Sequence, residues 1–159
     1  MDVDPTLASA LIGSVRRAIA MALPQLEVVA QNRSRIEFAW MAKEGFFHRI
    51  AVRIMPDTNR FSVDVWWSEA RKAPWSGGAE PETARANPDR GMSLSRLWFK
   101  GRGFVPSWAI GAPDPSPARK NDMTFPTPED AANDVAAKLL EFGPAYFERC
   151  GPSAGPEGR

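Results

Sequence analysis

The sequence predicts an α+β fold: an antiparallel sheet of about five strands, arranged as a meander, with an N-terminal and a C-terminal helix packed on one face. Apolar residues recur at three- and four-residue spacing near both ends of the chain, and between them the period changes to two. A length of 159 residues, with 43% hydrophobic and 25% charged side chains, is typical of one globular domain. We therefore expect a single domain over residues 1–150, followed by a disordered tail at 151–159.

The N-terminal helix is predicted over residues 4–23, DPTLASALIGSVRRAIAMAL. Asp4 is a natural N-cap, and Pro5 suits the first helical position because its missing N–H has no intrahelical partner to lose. Pro24 ends the helix. The apolar stripe consists of Leu7, Leu11, Val15, Ile19 and Ala22, with Ile12 and Ala18 beside it.

The C-terminal helix is predicted to begin at TPED, with Thr127 as the N-cap and Asp130 in the position of the acidic member of a capping box. Gly143 and Pro144 are expected to stop this helix, and AYFERC to add one more helical turn. The buried side is expected to consist of Ala131, Ala132, Val135, Leu139 and Phe142.

Three strands are predicted between the helices, connected by the turns KEG at 43–45 and PDTN at 56–59. LSRLWFK and PSWAIG are weaker strand candidates, and residues 71–92 and 111–127 are expected to form long loops. The core-side positions of the three strands are Ile36, Phe38 and Trp40, then Ile50, Val52 and Ile54, then Phe61, Val63, Val65 and Trp67.

The turn lengths also predict the register, and with it the composition of the sheet face opposite the helices, here called the outer face. If Met55 pairs with Arg60, the outer-face pairs follow without further choice. These pairs are Arg53 with Ser62, Ala51 with Asp64, Arg49 with Trp66, and Glu37 with Ala51. Two arginines then alternate with two carboxylates, diagonal to one another and within reach of long side chains.

The outer face has two interpretations. In the first, its charges pair over a solvated sheet face, where each pair contributes only about 0.2–1 kcal/mol. In the second, it is a protein-binding surface, because tryptophan and arginine dominate interface energetics. The candidate protein-binding residues are Glu37, Arg49, Arg53, Asp64, Trp66 and, in the loop RKAPWSGG, Trp75.

No catalytic residue, metal ion or cofactor is predicted. His48 is the only histidine, which excludes a multi-histidine metal site within one chain. The register places it on the core side at a strand end, beside Trp67, with no obvious carboxylate to orient it. This favours a partly buried structural histidine over a general base. A small-molecule or enzymatic site close to His48, Arg49 or Trp67 remains as a third hypothesis.

Nucleic-acid binding is an alternative, because charge is unevenly spread along the chain. Residues 85–120 hold seven basic side chains against two acidic ones, a net charge of +5, whereas residues 121–159 hold three against seven, a net charge of −4. Basic residues interleaved with aromatic ones are typical of single-strand binders. The acidic last helix is available to neutralise this stretch. The candidate residues are Arg96, Trp98, Lys100, Arg102 and Trp108.

We expect a non-catalytic protein-binding module: an accessory, regulatory or immunity-like subunit that docks on a larger protein. Small bacterial immunity-type and accessory proteins often have such a helix–meander–helix plan, an analogy at the level of fold alone. The lone cysteine, Cys150, suits a reducing compartment, and the acidic start MDVDP is unlike a secretory signal. We therefore expect a cytoplasmic protein without a membrane partner; the sequence does not predict whether it forms homo-oligomers.

Overall fold

The computed structural model describes residues 5–44, 46–55, 59–68, 91–101, 105–111 and 115–149. Within these ranges the chain forms two α-helices and seven strands. In chain order they are α1 Pro5–Ala22, β1 Glu27–Gln31, β2 Arg35–Lys43, β3 Phe46–Ile54, β4 Arg60–Ser68, β5 Gly91–Ser93, β6 Trp108–Ile110, β7 Met123–Phe125 and α2 Pro128–Glu148.

The strands form one sheet in the order β1-β2-β3-β4-β6-β7, and β5 also pairs with β4. All pairs are antiparallel except β6 with β7, which run parallel. The α+β class and the meander are confirmed, and the described part of the sheet has two more strands than expected. The strands that the sequence did not predict, β1, β5 and β7, are five, three and three residues long.

The predicted register is confirmed throughout the central meander. The amide of Met55 donates to the carbonyl of Arg60 at 2.9 Å, as the four-residue turn requires. Beyond this turn, Arg53 lies opposite Ser62 and Arg49 opposite Trp66. The pairs Ala51 with Asp64 and Glu37 with Ala51 also form as predicted. Because side chains alternate between the faces, one correct pair places every residue of these strands on its predicted side.

The core lies between the sheet and the two helices, which both pack on its predicted face. Val15 and Ile19 of α1 are completely buried, as are Val135 of α2 and Val52 and Val63 of the sheet. Thr127 caps α2 as predicted, because its Oγ1 accepts from the amide of Asp130 at 3.1 Å. The same hydroxyl donates to Asp130 Oδ2 at 3.0 Å.

The prediction that Trp40 is buried in the core is wrong, because this residue is 37% exposed. It lies near the end of β2 at the β2–β3 hairpin, opposite His48. Leu23 and Leu26, which follow α1, lie close to both residues around a cavity and leave Trp40 partly uncovered. This part of the core side is therefore open.

The prediction that α2 stops at Gly143 and Pro144 is wrong, since the helix continues through Pro144 to Glu148. A proline inside a helix costs about 3 kcal/mol. Here the following turn is held by Tyr146, which is buried and whose hydroxyl donates to the carbonyl of Val65 at 3.4 Å. Burial of Tyr146 and packing of Phe147 against the core offset the cost of the proline.

Two predictions between β5 and β7 are also wrong. LSRLWFK forms no strand; its first four residues form a short 3₁₀ helix, Leu94–Leu97. The buried Ser95 hydroxyl donates to the carbonyl of Pro106 at 2.6 Å, and this hydrogen bond fixes the helical turn against the segment before β6. The expected loop at 111–127 contains a 3₁₀ turn, Pro117–Arg119, and strand β7. PSWAIG does form a strand, β6. Asp4, the turn residues 56–58 and the tail at 151–159 lie outside the described residues.

Candidate functional site

The outer face of the sheet is buried, so its interpretation as a solvated face is wrong. Glu37 and Arg49 are both 0% exposed, and Asp64 and Trp66 are 3% exposed. Arg53 is half-buried. Trp75 and most of the loop at 71–92 lie outside the described residues.

The diagonal contacts predicted for this face do form. Arg49 Nη2 lies 3.2 Å from Glu37 Oε1, and the guanidinium carbon of Arg49 lies 5.1 Å from the centre of the Trp66 ring. Arg53 Nη2 lies 3.7 Å from Asp64 Oδ2, and Arg35 Nη1 lies 3.2 Å from the second oxygen of Glu37. The five described candidates, Glu37, Arg49, Arg53, Asp64 and Trp66, are thus brought together, and a partner cannot reach the buried side chains of Glu37 and Arg49 in this conformation.

The aromatic residues proposed for nucleic-acid binding are largely part of the core. Trp108 is 0% exposed, and its indole N–H donates to Asp134 Oδ2 at 2.8 Å. Trp98 is half-buried, with its ring centre 5.3 Å from that of Phe142 and 5.9 Å from that of Trp108. Trp108 therefore presents no exposed ring face in this fold. Arg102 lies outside the described residues.

Arg96 and Lys100, by contrast, are exposed and line one cavity of about 460 Å³. Arg149 at the end of α2 lines it too, and Glu141 is the only acidic side chain among the described residues of its lining. Phe99, Phe142 and Tyr146 form part of its wall. This cavity, here called the basic cavity, combines three cations with aromatic side chains.

A second cavity, here called the His48 pocket, lies between the core side of β2 and β3, the segment after α1, and the C-terminal half of α2. Its volume is about 360 Å³, within the range of pockets that take small ligands. Its lining is mostly apolar or aromatic. The lining residues are Leu23, Gln25, Leu26, Trp40, His48, Ile50, Leu139, Gly143, Pro144, Phe147 and Glu148.

His48 lies in an aromatic cluster on the wall of this pocket. Its ring stacks on Phe147 at 4.3 Å between centres, and Trp40 and Phe46 approach it edge-on at 5.1 and 5.2 Å. The pair of Trp40 and His48 follows from the β2–β3 register, and the continuation of α2 past Pro144 supplies Phe147. The predicted position of His48, on the core side opposite Trp67, is confirmed.

The environment of His48 keeps its imidazole neutral. The side chain is 8% exposed, and burial lowers its pKa from the ordinary 6.5 to about 4. Nδ1 is buried and has no hydrogen-bond partner in the described part of the chain. An imidazole with this pKa is a weak general base near neutral pH. The pocket is thus equipped for binding rather than for proton transfer through His48.

A third cavity, of about 790 Å³, lies beside α1 and the β1–β2 turn. Arg16 and Arg33 contribute to its lining, and Arg16 Nη1 donates to Gln31 Oε1 at 2.8 Å. All three of these side chains are exposed. This cavity is a wide groove in which the side chain of Arg16 is already held by Gln31, so it defines a ligand less well than the His48 pocket does.

Among the described residues no three His, Cys, Asp or Glu side chains are grouped as metal ligands would be, and no helix there has the length and apolarity needed to cross a membrane. No family model, curated protein or solved structure matches the chain. The case for function therefore depends on the geometry of the sites themselves.

Sequence reasoning missed most of the His48 pocket, including Gln25, Gly143, Phe147 and Glu148. One signal pointed to it: the register already placed Trp40 and His48 opposite each other at a strand end. A polar histidine opposite a tryptophan at the edge of a predicted core indicates that the core is incompletely covered there and can form a pocket.

Proposed function

We propose that the chain is a non-catalytic protein-binding module, an accessory or regulatory subunit, which binds a side chain of a larger partner protein in its His48 pocket. The observation that carries this proposal is an apolar pocket of about 360 Å³ whose rim holds a partly exposed tryptophan, Trp40. Buried tryptophan contacts at the centre of an interface are among the largest contributors to binding energy.

The surroundings of the pocket support a protein partner. Trp40 itself is 37% exposed at the rim of the pocket. Leu140 on α2 is 49% exposed. Large apolar side chains near a concave site are typical of a surface that a second protein covers. The buried outer face, predicted earlier as the docking surface, takes no part in this proposal.

A cavity-filling variant tests the proposal. Gly143 lines the pocket inside α2, and a Cβ added there meets only Phe147, at 3.8 Å, so it is accommodated at an ordinary contact distance and the longer side chain of a leucine is expected to occupy part of the pocket. Gly13 in α1 is a matched control, because its added Cβ meets only the end of the flexible Arg17 side chain, at 3.4 Å, and it does not line the pocket.

The assay is affinity purification of the tagged full chain, at its natural expression level, with quantification of copurifying proteins. We expect one protein to be recovered in fixed stoichiometry with the wild type and with Gly13→Leu, and to be lost with Gly143→Leu. Recovery of that protein in equal amount with Gly143→Leu would contradict the proposed site. Absence of any stoichiometric protein from the wild-type sample would contradict the proposed function.

Single-stranded nucleic-acid binding is a second candidate, favoured by the grouping of Arg96, Lys100 and Arg149 in the basic cavity. Neither Arg96 nor Lys100 forms an ion pair with the described residues. This candidate predicts binding of a labelled 20-nucleotide strand that weakens steeply with salt. It also predicts loss of binding in Arg96→Ala/Lys100→Ala, whereas salt-independent binding would refute it.

The proposal places the module in the cytoplasm, where a lone cysteine such as Cys150 remains reduced. Fractionation of the source cells, with detection of the native chain, checks this location. Recovery in the membrane or secreted fraction would contradict it.

A further inference from the structure

We infer that the His48 pocket recognises a positively charged group carried on an apolar stem, which in a protein partner is a lysine or arginine side chain. The inference deepens the proposed function and rests on it. Four features of the pocket favour a cation at its mouth, and each is independent of the others.

The first feature is Glu148 in the last turn of α2, the only charged residue among the described residues of the lining. Its side chain is exposed, and it forms no ion pair or hydrogen bond within the described part of the chain. None of the described lysines and arginines lines the pocket. Its charge is therefore available to a ligand.

The second feature is the position of the helix ends. α1 ends at Ala22, just before the lining residues Leu23 and Gln25, and the last turns of α2 supply Gly143, Phe147 and Glu148. The C-terminus of a helix carries a partial negative charge from carbonyl groups that have no intrahelical donor. The end of α1 therefore adds negative potential to that of Glu148, whereas at the end of α2 the C-cap residue Arg149 offsets the partial charge of the carbonyl groups.

The third feature is a polar acceptor in the lining. Gln25 lines the pocket and is exposed. Its side-chain carbonyl oxygen can accept a hydrogen bond from an ammonium or guanidinium group.

The fourth feature is aromatic. Trp40 packs edge-on against the neutral His48 ring, Phe147 stacks on that ring, and all three line the pocket. A cation over a tryptophan or phenylalanine face gains about 0.5–1 kcal/mol at an exposed site and more when water is removed. The apolar lining, including Leu26, Ile50 and Leu139, suits the methylene stem of a lysine or arginine.

Three probes with similar stems and different head groups test the inference: hexylamine, 1-hexanol and hexanoate, which at neutral pH are positive, neutral and negative. Each is titrated into the isotope-labelled full chain, and binding is followed from the indole N–H signal of Trp40. The aromatic and charge terms together predict that hexylamine binds about threefold to tenfold more tightly than 1-hexanol, and that hexanoate binds most weakly.

The variant Glu148→Gln is expected to lower the affinity for hexylamine about threefold and to leave that for 1-hexanol unchanged. Glu141→Gln is the matched control, because Glu141 is an exposed glutamate of the same helix that lines the basic cavity instead. It should leave both affinities unchanged. Equal or tighter binding of 1-hexanol or hexanoate by the wild type would overturn the inference, as would an equal effect of the two glutamate variants.

The two proposals fail in different ways. If Gly143→Leu removes partner binding but Glu148→Gln does not weaken it, the pocket binds an apolar side chain, and only the charge preference is wrong. If Gly143→Leu leaves partner binding intact, the proposed site is wrong. If none of the three probes gives a saturable shift at Trp40, the pocket does not recognise such stems and the inference is refuted.

Discussion

Replacement of His48 by leucine tests the electrostatic description of the pocket. Burial holds the pKa of His48 at about 4 in the folded chain, against 6.5 when it is unperturbed. As the pH falls below 6.5, the imidazole of His48 therefore becomes protonated in the unfolded state while it stays neutral in the folded state. Stability from this source is fully present above pH 6.5 and is lost as the pH falls towards 4.

The loss can be worked out from the two pKa values. At pH 5 the imidazole is almost fully protonated in the unfolded chain and about one-tenth protonated in the folded chain, so the folded state is destabilised by about 2 kcal/mol relative to pH 7.5. At pH 4 the loss reaches about 3 kcal/mol. Leucine does not titrate, so His48→Leu does not lose stability in this way.

The assay is urea unfolding of wild type and His48→Leu at pH 7.5, 6 and 5, followed by tryptophan fluorescence. The free energy of unfolding of the variant minus that of the wild type should rise by about 2 kcal/mol when the pH is lowered from 7.5 to 5. Titration of carboxylates common to both chains cancels in the difference. Repeating the comparison in a Glu148→Gln background removes the one carboxylate that lines the same pocket. Parallel pH profiles for the two chains would refute the reasoning.

Two further predictions concern stability. Arg49→Met should lower the free energy of unfolding by about 3–5 kcal/mol, because it leaves the buried carboxylate of Glu37 with one partner fewer. The double variant Arg49→Met/Glu37→Leu also removes this carboxylate, so it should recover most of the loss. Urea unfolding measures both, and a double variant no more stable than the single one would contradict the prediction. Gly143→Ala should raise the thermal midpoint, because a helical glycine costs about 0.5–1 kcal/mol relative to alanine and the new Cβ meets Phe147 at an ordinary 3.8 Å. A lower midpoint would show that the pocket wall is tighter than described.

The sequence predicted the register because two quantities determine it: the length of a turn and the alternation of side chains. The pairs Arg49 with Trp66 and Glu37 with Ala51 follow from these two alone. Burial of the outer face could not be predicted in this way. Alternation says which face a residue occupies, but not what covers that face. The arginines and carboxylates were therefore correctly paired and wrongly described as solvated.

The His48 pocket was harder to predict because it depends on where elements end. Pro144 indicated the end of α2, yet the buried Tyr146 holds the next turn in place and brings Phe147 against His48. Local propensity and tertiary packing conflict at that position, and packing prevails. The strands β5 and β7 were missed for a simpler reason, since three residues are too few to show a period of two.

The most direct test of the central claim, that the partner binds at the His48 pocket, is a titration of the labelled chain with the purified partner, followed through the indole N–H signals of its six tryptophans. Single tryptophan-to-phenylalanine variants assign the signals. The account predicts that the signal of Trp40, at the rim of the pocket, shifts and saturates, while those of the buried Trp66 and Trp108 do not move. A saturating shift of Trp66 with an unchanged Trp40 would contradict the account and return the binding surface to the outer face.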